Sequence, residues 1–177
     1  MKITRENLYL NLLQRAKVVS AVRRFFNERN FIEVETPIRN PSIIPEAQID
    51  ILKSEGYFLQ ASPELCMKRL TSYGFGNIYQ ICKVFRKNER GERHLPEFTM
   101  LEWYCSPCSY LDLMGHCRAL LRHIAFQIES ASIIKYQGKT IDLSKDWEML
   151  TVEEAFNKYG HKSLSKAIFV AKVNDIT

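Results

Sequence analysis

No stretch of this 177-residue chain approaches the roughly 20 consecutive apolar residues that a membrane helix needs. The opening Met1-Lys2-Ile3-Thr4-Arg5-Glu6 has no apolar segment of the signal-peptide kind, so a cytoplasmic protein without a membrane partner is expected. Cysteine is sparse and odd in number, five in all, which excludes a small secreted disulfide framework and predicts reduced thiols. One C-x-x-C, Cys105-Ser106-Pro107-Cys108, lacks the second tight ligand pair of a structural zinc site, even with His116, Cys117 and His123 downstream. Buried or loop thiols, and no protein-bound metal, are therefore expected. There is no internal repeat and no low-complexity linker.

What remains is the composition of one ordinary globular domain: 46% hydrophobic, 25% charged, long enough to bury a single core. The formal charge of +5 is a mild cationic excess that suits an anionic partner without requiring one.

The first apolar periodicity predicts a helix over about 8–27, with Leu8, Leu12, Ala16, Val19, Val22 and Phe26 on one face. Phe31 to Thr36 alternates like a strand that Pro37 stops. Residues 39–50 read as a loop, and Tyr57–Ala61 as a short strand. Ser62-Pro63-Glu64 opens a helix, with Ser62 as cap and Pro63 at the first helical position, and Gly74 ends it. Asn77–Phe85 and Glu97–Tyr104 form two strands around a charged loop, an antiparallel hairpin with a long functional connection. Ser109 with Asp112 caps the next helix. Residues 133–143 make two short strands turning at Gln137-Gly138, and Thr151 with Glu154 caps a last helix through Tyr159.

The chemistry concentrates in the hairpin. Alternation puts Phe98, Met100, Glu102 and Tyr104 on one face and Thr99, Leu101 and Trp103 on the other, which has the character of core. A carboxylate on a half-buried face needs a cation, and Arg86, Arg93 and His94 border the loop. Together they offer cations for phosphate, an aromatic plate for a base and an anion for an amine. A solvated sheet face beneath a charged loop reads equally well from the pattern alone.

The residues carry more than the pattern. Cys82-Lys83-Val84-Phe85-Arg86 followed by Arg93-His94-Leu95-Pro96-Glu97-Phe98-Thr99-Met100-Leu101-Glu102-Trp103-Tyr104 resembles motif 2 of the lysyl-tRNA synthetase group, about 78–104. The first helix and Phe31–Pro37 resemble its motif 1, about 12–37. Ser62-Pro63-Glu64 with Met67-Lys68-Arg69 resembles the amino-acid-binding segment between them. The resemblance runs from about Leu12 to Tyr159. It implies an α+β fold: a class II aminoacyl-tRNA synthetase-like antiparallel sheet flanked by helices, with 1–177 as the N-terminal portion of a catalytic domain. It also implies ATP and Mg2+, lysine as substrate, activation of lysine to lysyl-adenylate, and a homodimer through motif 1.

Carried over by position, Arg86 would hold the α-phosphate and the lysine carboxylate, as the catalytic cation. Arg93 and His94 would reach the outer phosphates, Phe98 would stack on adenine and Asn88 would meet its edge. Ser62 would line the amino-acid site, Glu64 would take the α-amino group, and Glu102 and Tyr104 the distal ammonium. Two positions depart from the family: Asn88 stands where it usually has Glu, with Glu89 next in line, and Leu95 stands in its His-Asn-Pro. The glycine-rich motif 3, with its second ATP-binding arginine, is absent from these 177 residues, so the chain as given is expected to be an incomplete and poorly active ligase, and the few residues before Leu8 leave no room for an anticodon-binding domain. That last feature, with Ser62-Pro63-Glu64, Gln80-Ile81-Cys82 and Glu102-Trp103-Tyr104, resembles the paralogues that attach lysine or β-lysine to elongation factor P. The expected acceptor is therefore elongation factor P. A lysine–tRNA ligase fragment acting on tRNA, and a non-catalytic remnant that dimerises or binds ligand, are the alternatives.

Overall fold

The computed structural model describes residues 4–160. Helix α1 (Arg5–Asn27) starts three residues before the apolar stripe, because the Thr4 hydroxyl accepts from the Asn7 N–H at 3.2 Å and caps it. Asn30, in the left-handed region at φ 58°, reverses the chain just past the helix, and the Phe31 N–H returns to the Phe26 carbonyl at 3.0 Å. The chain then enters β1 (Ile32–Glu33), shorter than the Phe31–Thr36 strand read from alternation. It next forms β2 (Arg39–Asn40), β3 (Lys53–Ser54) and β4 (Tyr57–Leu59), an antiparallel sheet in the order β2-β4-β3. Strands β2 and β3 were not legible, since two-residue strands carry no periodicity. Helix α2 (Glu64–Ser72) begins one residue later than expected, with Pro63 as its cap; the Ser62 hydroxyl still accepts from the Glu64 N–H at 3.1 Å.

The expected hairpin is present as β5 (Asn77–Phe85) and β6 (Glu97–Cys105), paired antiparallel from Asn77↔Cys105 to Phe85↔Glu97. Strand β1 joins β5 in parallel, Ile32 beside Ile78, so this sheet is mixed rather than wholly antiparallel. Helix α3 (Tyr110–Glu129) carries the anticipated Ser109–Asp112 capping box. Strands β7 (Ile133–Tyr136) and β8 (Lys139–Asp142) turn at Gln137 (φ 49°) and Gly138 (φ 75°), as the primed hairpin turn demands. The contacts divide the chain into residues 1–141 and 142–177. The described part of the second unit holds α4 (Val152–Tyr159), capped by Thr151 and Glu154 as expected.

The core lies where α1 and α3 cover one face of β5–β6. Phe26 stacks on Tyr79 at 4.6 Å and meets Phe25 and Phe31 edge-on at 5.2 and 5.1 Å. Leu101, Trp103 and Cys105 pack around this cluster, so Leu101 and Trp103 lie on the core side as predicted, whereas Thr99 on the same face is exposed. Only the second half of α1 joins it: Ala21, Val22, Phe25 and Phe26 are buried. Leu8, Tyr9, Leu10, Leu12 and Leu13 stay exposed, so the first half of the apolar stripe finds no cover within one chain among the described residues.

Behind β1, Arg23 grips both oxygens of Glu33 at 3.0 Å, and the Tyr79 hydroxyl donates to the same carboxylate at 3.0 Å. Hydrogen bonding from Arg23 holds the Glu33 carboxyl below its ordinary range. Burial, reinforced by Glu33, pushes the Tyr79 phenol up to about 12.

One expectation is overturned outright. Cys105 and Cys108 are joined as a disulfide with their Cα atoms 5.5 Å apart, where reduced thiols were expected. The end of β6 and the approach to α3 bring the two sulfurs together, a proximity that cysteine count cannot reveal. Cys66, Cys82 and Cys117 are free and half-buried.

Candidate functional site

The face of β5–β6 turned away from the core presents Gln80, Cys82 and Val84 opposite Glu102, Met100 and Phe98. Period-two alternation puts these side chains on one side, and the register fixes their rows. At one end, Glu102 is bonded at both oxygens: Ser62 Oγ donates to Oε2 and the Tyr104 hydroxyl to Oε1, each at 2.6 Å. These are short O–H···O contacts. Burial, and then the Glu102 carboxylate, pushes the Tyr104 phenol far up, so it stays a hydrogen-bond donor at any ordinary pH. Burial first, and Glu102 second, also pushes the Cys82 thiol up to about 11, which keeps it a neutral neighbour.

Glu64 lies on the first turn of α2, where the helix N-terminus favours an anion. Its carboxylate pairs with Lys68 one turn on. Ser62, Glu64, Glu102 and Tyr104 thus form one anionic, hydroxyl-lined cluster. Such a cluster has the chemistry to accept an ammonium group, and one of its carboxylates, Glu64, already pairs with that of Lys68.

Arg86 occupies the other end. Its backbone N–H donates to the Pro96 carbonyl at 2.9 Å, and its Nε donates to the Ala61 carbonyl at 3.3 Å. Its guanidinium lies 5.3 Å from the Phe98 ring centroid and 3.7 Å from a Glu89 oxygen. The arrangement offers a planar cation for an anionic oxygen beside an aromatic face for a flat base.

The structure does not bring the remaining candidates into this group. Asn88 sits at φ 64° and turns its amide to Asp50, Nδ2 to Oδ2 at 3.2 Å. It lines a separate hollow of ≈ 530 Å³ with Leu52, Phe85, Lys87, Arg90, Pro96 and Glu97. The left-handed turn swings Asn88 out and returns Glu89 toward Arg86. Arg93 and His94 are exposed in the connecting loop. Sequence reasoning missed Asp50, Gln60 and Ala61, which hold this end through backbone carbonyls and, for Asp50 and Gln60, side chains as well, and which carry no motif. Among the described residues there is no cluster of three or more His, Cys, Asp or Glu that could hold a metal ion, and no helix long and apolar enough to cross a membrane.

The model of the class II tRNA synthetases of the D, K and N type matches residues 1–173. The chain belongs to that family. Curated relatives include the lysine–tRNA ligase of Thiobacillus denitrificans, 37% identical over 165 residues, which are 89% of this chain and 32% of the relative. That of Actinobacillus pleuropneumoniae serotype 5b is 34% identical over an alignment of 186 positions, gaps included, that covers 96% of this chain and 36% of the relative. That of Variovorax paradoxus is 38% identical over 165 residues, 89% and 31% respectively. The chain therefore spans about a third of the length of these relatives. All three carry lysine and tRNA in their names.

Proposed function

We propose that this chain binds lysine and ATP and contributes to the activation half of a lysine–tRNA ligase reaction. The observation that carries the reading is the doubly bonded Glu102, with Glu64 nearby, on the same strand face as Phe98 and beside Arg86. In this reading the lysine ammonium sits against Glu102 and the α-amino group against Glu64. The lysine carboxylate oxygen attacks the α-phosphorus of ATP, the bond to the β-phosphate oxygen breaks, and pyrophosphate leaves with that electron pair. Arg86 holds the carboxylate and the α-phosphate together, since a guanidinium bonds two anionic oxygens in one plane. Phe98 supplies the stacking face for adenine, and Arg93 and His94 reach the outer phosphates when the loop closes. Mg2+ would arrive on the triphosphate, because its partners are phosphate oxygens and the described residues build no metal cage.

The test is lysine-dependent exchange of pyrophosphate into ATP. Exchange that disappears in Arg86→Ala supports the reading. Binding of lysine and ATP without exchange here, but with exchange in a version extended through the glycine-rich motif, supports the reading as a partial enzyme; no exchange in either assigns the chain to the non-catalytic alternative. Binding of neither ligand overturns the reading. Charging of tRNA against modification of elongation factor P, assayed side by side with lysine and with β-lysine, decides the acceptor. Ser62-Pro63-Glu64 and Gln80-Ile81-Cys82 are what keep the elongation factor P reading in that comparison.

The same reading makes the chain a homodimer through the exposed first half of α1, where five large apolar side chains between Leu8 and Leu13 would be covered by a second copy. Light scattering should give a sharp dimer, and Leu12→Glu should split it into monomers. A monomer at high micromolar concentration rejects this interface.

A further inference from the structure

We propose that Gln60 is a positioning residue for Arg86, acting through the strand that carries it; the inference rests on the reading of Arg86 as the cation that meets ATP. Strand β1 pairs with β5 only at Ile78 and Tyr79. Farther along, the same edge of β5 would leave the Lys83 carbonyl and the Phe85 N–H without a neighbouring strand. Gln60 supplies both partners. Its side-chain Nε2 donates to the Lys83 carbonyl at 2.8 Å, and its backbone carbonyl accepts from the Phe85 N–H at 2.9 Å. The side-chain amide serves as an extra peptide unit, and it completes two rungs that a two-residue strand cannot reach.

These rungs end one residue short of Arg86. The next residue, Ala61, accepts from Arg86 Nε at 3.3 Å, and the one after, Ser62, donates to Glu102 at 2.6 Å. Residues 60–62 therefore fix three things in sequence: the β5 edge, the Arg86 side chain and the Glu102 carboxylate. Gln60 is 4% exposed and its own N–H is fixed to the Ile38 carbonyl at 2.9 Å, so the segment is anchored on the far side as well. With Nε tied to Ala61, the two terminal nitrogens of Arg86 are left to face a ligand, Nη1 of them 3.7 Å from a Glu89 oxygen. A guanidinium whose direction is set in advance loses less freedom on binding phosphate than one that must find it. The Gln60 Oε1 is buried without a protein hydrogen-bond partner, so the amide is held by its donor side alone.

The experiment is a double-substitution cycle read by calorimetry with ATP and, separately, with lysine. Gln60→Met keeps the length of the side chain and removes the donor. It should weaken ATP binding roughly three- to tenfold, the range for one lost hydrogen bond. In an Arg86→Ala background it should change the binding of ATP, and of lysine, less than about twofold. A purely structural role predicts the same loss with and without Arg86, and that result overturns the inference. A chain that binds no ATP at all removes the reading of Arg86 and the inference together. Should Gln60→Met fail to fold, nitrogen-15 NMR of the unsubstituted chain decides. The Arg86 Nε–H, identified by its disappearance in Arg86→Lys, should exchange with solvent at least about tenfold more slowly than those of the exposed Arg90 and Arg93. Equal exchange overturns the proposal.

Discussion

The two ends of the candidate site are built differently. At the Glu102 end, each contact is a short hydrogen bond between half-buried groups on a paired strand and the entry to a helix. At the Arg86 end, the guanidinium makes one 3.3 Å bond to a carbonyl and a 3.7 Å approach to Glu89, and the cations meant for the outer phosphates stand exposed in a loop. Rigid ladder positions hold a small ligand group with little ordering cost, whereas a loop must be ordered by the ligand that it binds. The end proposed for the amino acid is thus preformed in the single chain, whereas the end proposed for the nucleotide includes a loop that a ligand would have to order.

The largest effect should come from the preformed end. Glu102→Gln keeps the shape of the side chain and removes its charge, and it should weaken lysine binding by about 1–3 kcal/mol. Calorimetry measures this directly, and unchanged affinity would remove Glu102 from the site and the contrast with it. At the open end, Arg86→Ala should cost ATP about 1–2 kcal/mol, less than a buried charged contact because the guanidinium is partly solvated. That loss should shrink as salt rises, whereas the Glu102→Gln loss should hold nearly constant; equal salt dependence would erase the difference between the ends. Ser62→Ala removes one of the two hydroxyls on Glu102 and should cost lysine about 0.5–1.5 kcal/mol, with no effect on ATP.

The same contrast explains what was legible beforehand. Residues 97–104 alternate strictly, so the core face of Leu101 and Trp103 and the site face of Phe98, Glu102 and Tyr104 follow from period two alone. The caps at Ser109 and Thr151 are local and were read correctly from three-residue spacings. Illegible features depend on partners distant in sequence. The parallel pairing of β1 needs knowledge of Tyr79, the support from Gln60 needs Lys83 and Phe85, and the turning of Asn88 needs Asp50. None leaves a period or a motif. Exposure of the first half of α1 was hidden for the reverse reason: an apolar stripe is the same in sequence whether its own chain or another covers it.

Asn88 gives the smallest expected effect and the cleanest test of that lesson. By position in the motif it should meet adenine. In the structure its amide is committed to Asp50 and its backbone is left-handed at φ 64°. Asn88→Ala would confuse the test, because alanine resists that conformation. Asn88→Gly removes the side chain and tolerates the backbone. Its ATP affinity should stay within about 0.5 kcal/mol of the original, the scale of an ordinary surface substitution. A loss as large as that of Arg86→Ala would mean that the amide leaves Asp50 and turns to the base when ATP binds. The nucleotide end would then extend past Glu89 into the turn, and the position in the motif would have predicted the contact better than the ligand-free geometry does.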